Sequence, residues 1–228
     1  MVGIIIADYD EILLSDLKKN IKFKKIKING FSFFLLDIGQ KKIPLCISGI
    51  GKVNAASATT TMINYFKIDV IFNLGLCGTS KITIKITTPI VVKSIEYFDV
   101  DLIGFEYKKN QIPNEKIKIC IKRKYIRKIF NLLVENGEKP VIGPIASGDT
   151  IVTKKNIDFF SKIKNKIIGT DMELMAIAQI CQKNKINFFS LKFVSDFVLE
   201  NKTYQVYQKS LKKLPKKITN FLIKFLTE

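Results

Sequence analysis

A chain of 228 residues that is 47% hydrophobic and 11% aromatic is too apolar to be disordered and long enough to bury a sizeable core, so we expect one domain over residues 1–228. Because the chain contains no histidine, its composition excludes every mechanism that uses an imidazole base, including the Ser-His-Asp and Cys-His systems. The net charge of +18 suggests a polyanionic partner, but nearly all of the basic residues are lysines spread along the chain. This spread argues against specific nucleic-acid binding and leaves weak nonspecific adhesion open.

Short β-branched runs alternate with helical patterns in the first half of the chain. In chain order, the pattern predicts a strand at 2–7, a helix that ends near Asn20, strands at 22–28, 31–38 and 43–48, a helix at 52–66, and strands at 69–78 and 89–97. The three consecutive strands after the first helix indicate a meander. Gly49 and Gly51 predict a turn that leads directly into a buried helix.

The second half of the chain begins with a long irregular segment at 100–118 and then resumes the alternation of strands and helices. In chain order, the pattern predicts a helix at 121–136, a strand at 139–147, a helix at 154–163, a strand at 166–170, a helix at 173–184, a strand at 187–195 and a terminal helix at 203–226. This alternation indicates an α/β domain, and the early meander makes its sheet a mixed one.

The four cysteines, Cys46, Cys77, Cys120 and Cys181, lie far apart in apolar surroundings without a CxxC spacing. We interpret them as reduced core thiols, and we expect no metal site because histidine is absent. No run approaches the roughly 20 apolar residues of a membrane span, and acids directly follow the first apolar run, unlike in a signal peptide. We therefore expect a cytoplasmic protein that does not bind membranes.

Polar groups follow several predicted strands, where ligands collect in open α/β sheets. They are found at 8–11, 48–51, 147–149, 171–173 and 195–196. Capping is an alternative interpretation for Asp8, Asp10 and Asp171, because acids after a strand often cap the next helix. Asp196 is different, because it follows a strongly apolar strand where an ionised carboxylate is costly unless it is paired or hydrogen-bonded.

Several short motifs in this order resemble the nucleoside phosphorylase superfamily, and most closely its hydrolytic branch, the bacterial 5'-methylthioadenosine/S-adenosylhomocysteine nucleosidases. The motifs are GIIIADYDEILL, SGIGKVNAA, NLGLCG, GFEYKKNQIP, SGDTIV, DMELMAIAQIC and VSDF. The resemblance covers nearly the whole chain. It implies a three-layer α/β/α fold around a twisted mixed central sheet, a homodimer, and no metal or organic cofactor.

The resemblance also implies roles for three carboxylates. Asp196 matches the general acid that protonates N7 of adenine, and Glu11 matches the carboxylate that activates the attacking water. Glu173 matches the carboxylate that holds the ribose hydroxyls, and Met172 is expected to pack on the ribose face. Cleavage of a glycosidic bond needs an acid at the leaving group and a carboxylate on the opposite face, so these residue types suit the chemistry.

Further residues are implied to line the substrate pocket. The backbone of Val152 is expected to bind the adenine edge and Ser195 to position Asp196, and the pocket lining is expected to include Ala7, Ile50, Cys77 and Gly78. The neighbouring subunit is expected to cover the 5' group with Phe105, Tyr107 and Pro113. Ordinary interface or loop packing is the alternative interpretation for these last three residues.

The chain also departs from the family pattern at several positions. Lys192 stands where the family has an arginine that orients the water and its carboxylates, and a lysine lacks the planar fork of arginine. Ile151 replaces an aromatic residue that stacks on adenine, a contact worth roughly 1–3 kcal/mol. Asp8 replaces a hydrophobic residue near the 5' side and Leu76 a small polar one. The aromatic residue expected beyond Asp196 is either Tyr204 or Tyr207.

The resemblance and the residues together predict hydrolysis of methylthioadenosine and S-adenosylhomocysteine, with 5'-deoxyadenosine as a further candidate. A phosphate clamp needs arginines, and the arginines of this chain, Arg123 and Arg127, fall in a predicted surface helix. Three alternatives remain open: a purine nucleoside phosphorylase, a hydrolase of another adenosine derivative, and a drifted homologue that binds nucleosides or polyanions with little activity.

Overall fold

The computed structural model describes residues 1–153, 166–198 and 203–228. Its helices are α1 (Leu14–Asn20), α2 (Lys52–Tyr65), α3 (Arg123–Glu135), α4 (Leu174–Lys183), α5 (Thr203–Ser210) and α6 (Leu214–Thr227), with short 3-10 helices at Tyr9–Glu11 and Ile103–Phe105. Its strands are β1 (Val2–Ile6), β2 (Phe23–Ile28), β3 (Phe31–Ile38), β4 (Lys41–Ile47), β5 (Val70–Thr79), β6 (Pro89–Tyr97), β7 (Lys118–Cys120), β8 (Val141–Ser147), β9 (Gly169–Asp171) and β10 (Asn187–Phe197). Within these ranges, no helix is both long and apolar enough to cross a membrane.

The strands form one mixed sheet with β1 near its middle. β1 pairs in parallel with β4 and β5, and β2, β3 and β4 form the antiparallel meander that the sequence predicts. On the other side, β5 pairs with both β10 and β9, and the pairs β10–β6, β6–β8 and β8–β9 complete a closed ring of five strands. The mixed sheet confirms the predicted α/β class, whereas the closure of the ring depends on pairings between distant segments.

The core lies between this sheet and the helices packed on it. α2 packs against α4, and α1 packs against α6. Ile4, Ile5 and Ile6 of β1 are fully buried, as expected for a strand that is covered on both faces. Phe189 of β10 stacks on Phe72 of β5, with ring centroids 4.5 Å apart. These apolar contacts support the strands whose polar residues form the site described below.

The predicted terminal helix at 203–226 is wrong, because two helices occupy this range. α5 ends at Ser210, whose hydroxyl donates to the carbonyl oxygen of Tyr207. α6 then begins at Leu214 with Pro215 in its first turn. A proline lacks the N–H that a continuing helix would use, but it fits a helix start. The proline therefore separates the predicted helix into two.

Two further predictions concern residues 154–170. The strand predicted at 166–170 is β9, which is shorter and begins later, at Gly169. The helix predicted at 154–163 lies outside the described residues.

The interpretation of all four cysteines as core thiols is correct for three of them. Cys46, Cys77 and Cys181 are buried and free, but Cys120 is exposed. Cys120 ends the short strand β7, which pairs only along β6 among the described strands. Its neighbours in sequence are apolar, and local composition alone does not distinguish the end of an edge strand from a core position.

Candidate active site

Three buried carboxylates come from separate elements that meet beyond the ends of the strands. Glu11 ends the 3-10 helix after β1, Glu173 precedes α4, and Asp196 lies near the end of β10. All three side chains are buried. The charge of Lys192 on β10 acts on both Glu11 and Glu173. Buried acids grouped around one cation are typical of a catalytic site.

Glu11 is held by backbone amides. Ala7 donates its N–H to Oε2 at 3.3 Å and Leu76 donates its N–H to Oε1 at 3.2 Å. A Cβ on Gly75 would lie only 2.8 Å from Oε2, so this position of β5 must be a glycine for the carboxylate to fit. Burial raises the pKa of Glu11, although Lys192 and the two amides oppose this shift.

Asp196 owes its position to a β-bulge. The register between β10 and β5 shifts between Val194 and Asp196, which leaves Ser195 as an extra residue. Successive side chains normally point to opposite faces of a strand, but here the Ser195 hydroxyl donates to Asp196 Oδ2 at 2.6 Å. A Cβ on Gly78 would lie 2.8 Å from Asp196 Oδ1, so β5 leaves room for this carboxylate as well.

The surroundings of Asp196 favour its protonated form. Burial raises the pKa of this carboxyl group, and the hydrogen bond from Ser195 only partly opposes the shift. A carboxyl group with a raised pKa can keep a proton near neutral pH and donate it to a bound base.

Glu173 is bound by the turn that precedes α2. The backbone N–H of Gly51 donates to Glu173 Oε1 at 2.9 Å, and Gly51 has a φ of 96°, which favours glycine. The glycines of this turn therefore do more than reverse the chain, because they aim an amide at a carboxylate. Burial and the nearby Asp171 raise the pKa of Glu173 to about 7.

Lys192 is paired with Asp171 and not directly with the other carboxylates. Its Nζ lies 2.7 Å from Asp171 Oδ2, and each side chain is only 1% exposed. Asp171 also accepts the backbone N–H of Leu174, the first residue of α4. The N-cap of α4 is Glu173 and not Asp171, so Asp171 supplies an acceptor to the helix start from outside the cap position, and the same carboxylate forms a buried ion pair. Burial alone would lower the pKa of Lys192, but the surrounding carboxylates raise it above its usual value.

The other predicted pocket residues fall into buried and exposed groups. Cys77 and Val152 are buried, and Met172 is half-buried. Ile50 and Ile151 are 50% and 64% exposed, so their side chains are available to a ligand or another chain. Gly78 and Ser195 lie beside Asp196, as described above. The structure thus groups the carboxylates, and the binding role of each lining residue stays a prediction.

The residues predicted to come from a neighbouring subunit lie on the connection between β6 and β7. Phe105 is 76% exposed and Tyr107 is 37% exposed, while Pro113 is half-buried. Ile103, on the same connection, is 49% exposed. Exposed apolar side chains grouped on one connection are a feature of interaction surfaces.

The structure distinguishes the two tyrosines that the sequence left open. Tyr204 is 72% exposed, whereas Tyr207 packs against the core. Burial raises the pKa of the Tyr207 hydroxyl to about 12, and the charges of Glu11, Asp8, Asp10 and Asp196 contribute to this shift. Tyr207 is therefore the more buried of the two tyrosines, and its hydroxyl lies within electrostatic range of Glu11 and Asp196.

Sequence reasoning missed three interactions within the site, although it placed Ser147 and Asp171 among the polar groups that follow strands. These are the Asp171 partner of Lys192, the Ser147 hydroxyl that donates to Asp171, and the Gly75 clearance for Glu11. Glycine inside the apolar strand β5 was the available signal for the third, because a glycine in a strand often marks the close approach of another group. Asp8 does not cap α1, whose N-cap is Leu13. It caps the 3-10 helix instead, where its Oδ1 accepts the N–H of Asp10.

The raised pKa of Glu173 predicts how stability depends on pH. Between its ordinary pKa of 4.5 and its folded pKa of about 7, the folded state binds more protons than the unfolded state, so the free energy of unfolding falls as pH rises through this range. Glu173→Gln removes this penalty and keeps an acceptor for Gly51. We expect the variant to gain on the order of 2 kcal/mol relative to wild type at about pH 8 and little at about pH 5.

Urea unfolding of both proteins at the two pH values measures this difference. Glu135→Gln, which changes an exposed glutamate on α3, is the matched control and should show no such pH dependence. An equal stability change at both pH values would contradict the prediction.

The sequence of this chain matches a known protein family and relatives of known activity. Residues 2–227 match the model of the family described as the phosphorylase superfamily. The 5'-methylthioadenosine/S-adenosylhomocysteine nucleosidase of Buchnera aphidicola subsp. Schizaphis graminum is 38% identical over 207 residues, which cover 89% of this chain and 86% of that protein.

Solved structures agree with the sequence matches. The Neisseria meningitidis 5'-methylthioadenosine/S-adenosylhomocysteine nucleosidase in complex with methylthio-immucillin-A superposes with a TM-score of 0.90 at 26% identity, covering 99% of this chain and 98% of that one. The futalosine hydrolase of Helicobacter pylori superposes with a TM-score of 0.89 at 26% identity, covering 98% and 95% of the two chains. These matches confirm the nucleoside phosphorylase-like fold that the motifs implied.

Proposed function

Because this chain belongs to the phosphorylase superfamily and, within it, to the 5'-methylthioadenosine/S-adenosylhomocysteine nucleosidases, we propose that it hydrolyses the N-glycosidic bond of methylthioadenosine and S-adenosylhomocysteine to release adenine. The observation that carries the proposal is the group of three buried carboxylates, Glu11, Glu173 and Asp196, around the turn and strand ends described above. Such a group supplies both an acid for the leaving base and a carboxylate for water.

Asp196 acts as the general acid in this proposal. Its raised pKa supports a protonated carboxyl group, which donates to N7 of adenine as the glycosidic bond breaks. Protonation makes adenine a neutral leaving group while positive charge develops on the ribose. Ser195 orients the carboxyl group through its hydrogen bond to Oδ2.

Glu173 and Glu11 act on the sugar and on water. Glu173, which the Gly51 amide orients, accepts hydrogen bonds from the ribose hydroxyls, and its negative charge stabilises the cationic sugar. Glu11, which two backbone amides hold, removes a proton from the water that attacks the sugar carbon. Water is the source of the new oxygen, and the proton passes to Glu11.

The charges of the site favour water over phosphate as the nucleophile. A phosphate dianion would face Glu11, and like charges in a buried site repel strongly. Arg123 and Arg127 are exposed on α3, so neither is available to clamp a phosphate among buried carboxylates. Leu76 offers Glu11 a backbone N–H and brings no polar side chain.

The test is adenine release from methylthioadenosine by the purified protein in phosphate-free buffer. We expect release that does not increase when phosphate is added, and release of adenine from S-adenosylhomocysteine as well. A strict requirement for phosphate would identify a phosphorylase. Absence of release from either compound, with hydrolysis of futalosine, would instead favour the activity named for the Helicobacter pylori relative.

We also propose that the protein works as a homodimer, in which Phe105, Tyr107 and Pro113 of each subunit cover the 5' group bound by the other. The support is the exposure of Phe105 and Tyr107 together with Ile103 on one connection. Sedimentation equilibrium is expected to give twice the mass of the chain, and a monomer at assay concentration would contradict the proposal. One domain over residues 1–228 and a cytoplasmic location stay predictions.

A further inference from the structure

The buried ion pair between Lys192 and Asp171 is not explained by the acid and base roles proposed above. Lys192 Nζ lies 2.7 Å from Asp171 Oδ2, and both side chains are 1% exposed. Lys192 forms no direct ion pair with Glu11 or Glu173, although its charge acts on both. The ammonium group therefore pairs with a carboxylate other than the two that act on the sugar and on water.

Asp171 is itself fixed by groups from two other elements. The hydroxyl of Ser147, at the end of β8, donates to Asp171 Oδ1, and the N–H of Leu174 donates to Oδ2 at 3.1 Å. The N–H of Met175 donates in turn to the Ser147 hydroxyl oxygen at 2.9 Å. The end of β8 and the first turn of α4 thus determine where the partner of Lys192 lies.

A lysine needs such an anchor more than an arginine does. Its ammonium group is a compact charge on a flexible stem, without the planar fork that binds carboxylates at fixed angles. Apart from Asp171, the carboxylates whose charges act on the ammonium group are Glu173 and Glu11, and a direct pair with either would occupy oxygens that ribose or water needs. Because an unpaired charge in the protein interior carries a large desolvation cost, without Asp171 the ammonium group would form such a pair.

We propose that Asp171 is a positioning residue that holds Lys192 beside Glu11 and Glu173 without letting it pair with either. Lys192 then supplies positive charge to both carboxylates while their oxygens stay available to the substrate and the nucleophile. This inference rests on the proposed function, because it concerns the same site.

The charged and titratable groups around Lys192 come from several elements. Asp171 ends β9 and Glu173 directly precedes α4, while Glu11 lies on the 3-10 helix and Cys77 on β5. Burial raises the pKa of the Cys77 thiol, so it carries no charge near neutral pH. The charge of Asp196, further along β10, contributes to the raised pKa of Cys77 and of Tyr207 on α5. Asp171 is the carboxylate that pairs directly with the ammonium group.

Asp171→Asn tests the inference, because asparagine keeps an oxygen for Ser147 and Leu174 but loses the charge that holds Lys192. We expect kcat for adenine release to fall roughly 10- to 100-fold with a smaller change in KM. We also expect the acid limb of the pH profile to move to lower pH, because the released ammonium group approaches Glu11 and Glu173 and favours their ionised forms. Because loss of the Asp171 charge also lowers the pKa of Glu173 directly, the shift supports a positioning role only if it is larger than the shift that Asp171→Asn causes in a Lys192→Met background.

A double-mutant cycle with Lys192→Met shows whether Asp171 acts through the lysine. In the Lys192→Met background, Asp171→Asn is expected to change kcat by no more than about twofold. The ammonium signal of Lys192 in a ¹H–¹⁵N spectrum of lysine side chains provides a readout independent of turnover, and it should shift in Asp171→Asn. Ser147→Ala, which removes one anchor of Asp171, should produce the same changes to a smaller extent if Asp171→Asn does not fold.

The outcomes separate this inference from the proposed function. Active wild-type protein with an unchanged kcat and pH profile in Asp171→Asn would overturn the inference alone, as would an equal loss of kcat in the Lys192→Met background. Absence of adenine release by the wild-type protein would overturn the proposed function and the inference with it.

Discussion

Replacing Asp196 with asparagine is expected to lower kcat/KM for methylthioadenosine by roughly 10²–10⁴-fold, the range that one general acid contributes. Asparagine has nearly the same shape and can still accept the hydrogen bond that Ser195 donates to Oδ2. It has no acidic proton for N7 of adenine. The loss should therefore appear in turnover, with the fold and nucleoside binding retained.

The assay is adenine release in phosphate-free buffer, with thermal unfolding as the check on folding. Asp37→Asn is the matched control, because Asp37 is exposed and pairs with Lys42 at the surface; surface pairs of this kind contribute little. On a 5'-methylthioriboside with a 4-nitrophenolate leaving group, Asp196→Asn should lose much less activity than on methylthioadenosine, because this group departs as an anion without a proton. A loss of the same size on both substrates would contradict the role of Asp196 as the acid.

Replacing Glu11 with glutamine is the second large effect that we expect, with kcat reduced by roughly 10²–10⁴-fold and a smaller change in KM. The carboxylate accepts N–H groups from both Ala7 and Leu76, but an amide offers one oxygen and one NH₂ group. Glutamine therefore loses the base and leaves one backbone N–H without an acceptor. The backbone N–H left without an acceptor costs about 1–3 kcal/mol of stability.

The pH profile distinguishes Glu11 from Asp196. A base must be ionised, so activity rises with pH through the pKa of Glu11, which burial raises. An acid must be protonated, so activity falls as pH rises through the pKa of Asp196, which burial also raises. Residual activity of Glu11→Gln should lose the part of the acid limb that Glu11 causes and keep the part that ionisation of Glu173 causes, with the alkaline limb unchanged, and Glu135→Gln should keep the wild-type profile. An acid limb in Glu11→Gln identical to that of the wild type would show that another group is the base.

Much of this protein could be predicted from sequence, because local patterns report burial and chemistry directly. The alternation of apolar runs predicts the order of strands and helices, and the motifs around Glu11, Glu173 and Asp196 predict the family. The absence of histidine restricts acid–base chemistry to carboxylates and lysine. Each of these inferences depends on neighbouring residues or on composition.

The terminal helices show where a local pattern was misread. The apolar periodicity of 203–226 continues across Pro215, and periodicity alone does not reveal that the chain turns there. The proline itself was a visible signal. Cys120 shows the same limit, because an apolar neighbourhood in sequence does not report whether a strand lies at an edge.

The sequence by itself determined the α/β class, the order of most strands and helices, and the residue types of the candidate site, but not the short strand β7 or the division of the terminal helix. Only the tertiary structure decided that Lys192 pairs with Asp171, that Tyr207 packs on the core while Tyr204 is exposed, and that β5 clears space for Glu11 at Gly75. The bulge that brings Ser195 against Asp196 is likewise a property of the pairing between β10 and β5. These features depend on the register between segments that are distant in the chain, and local periodicity carries no information on which distant residues are paired.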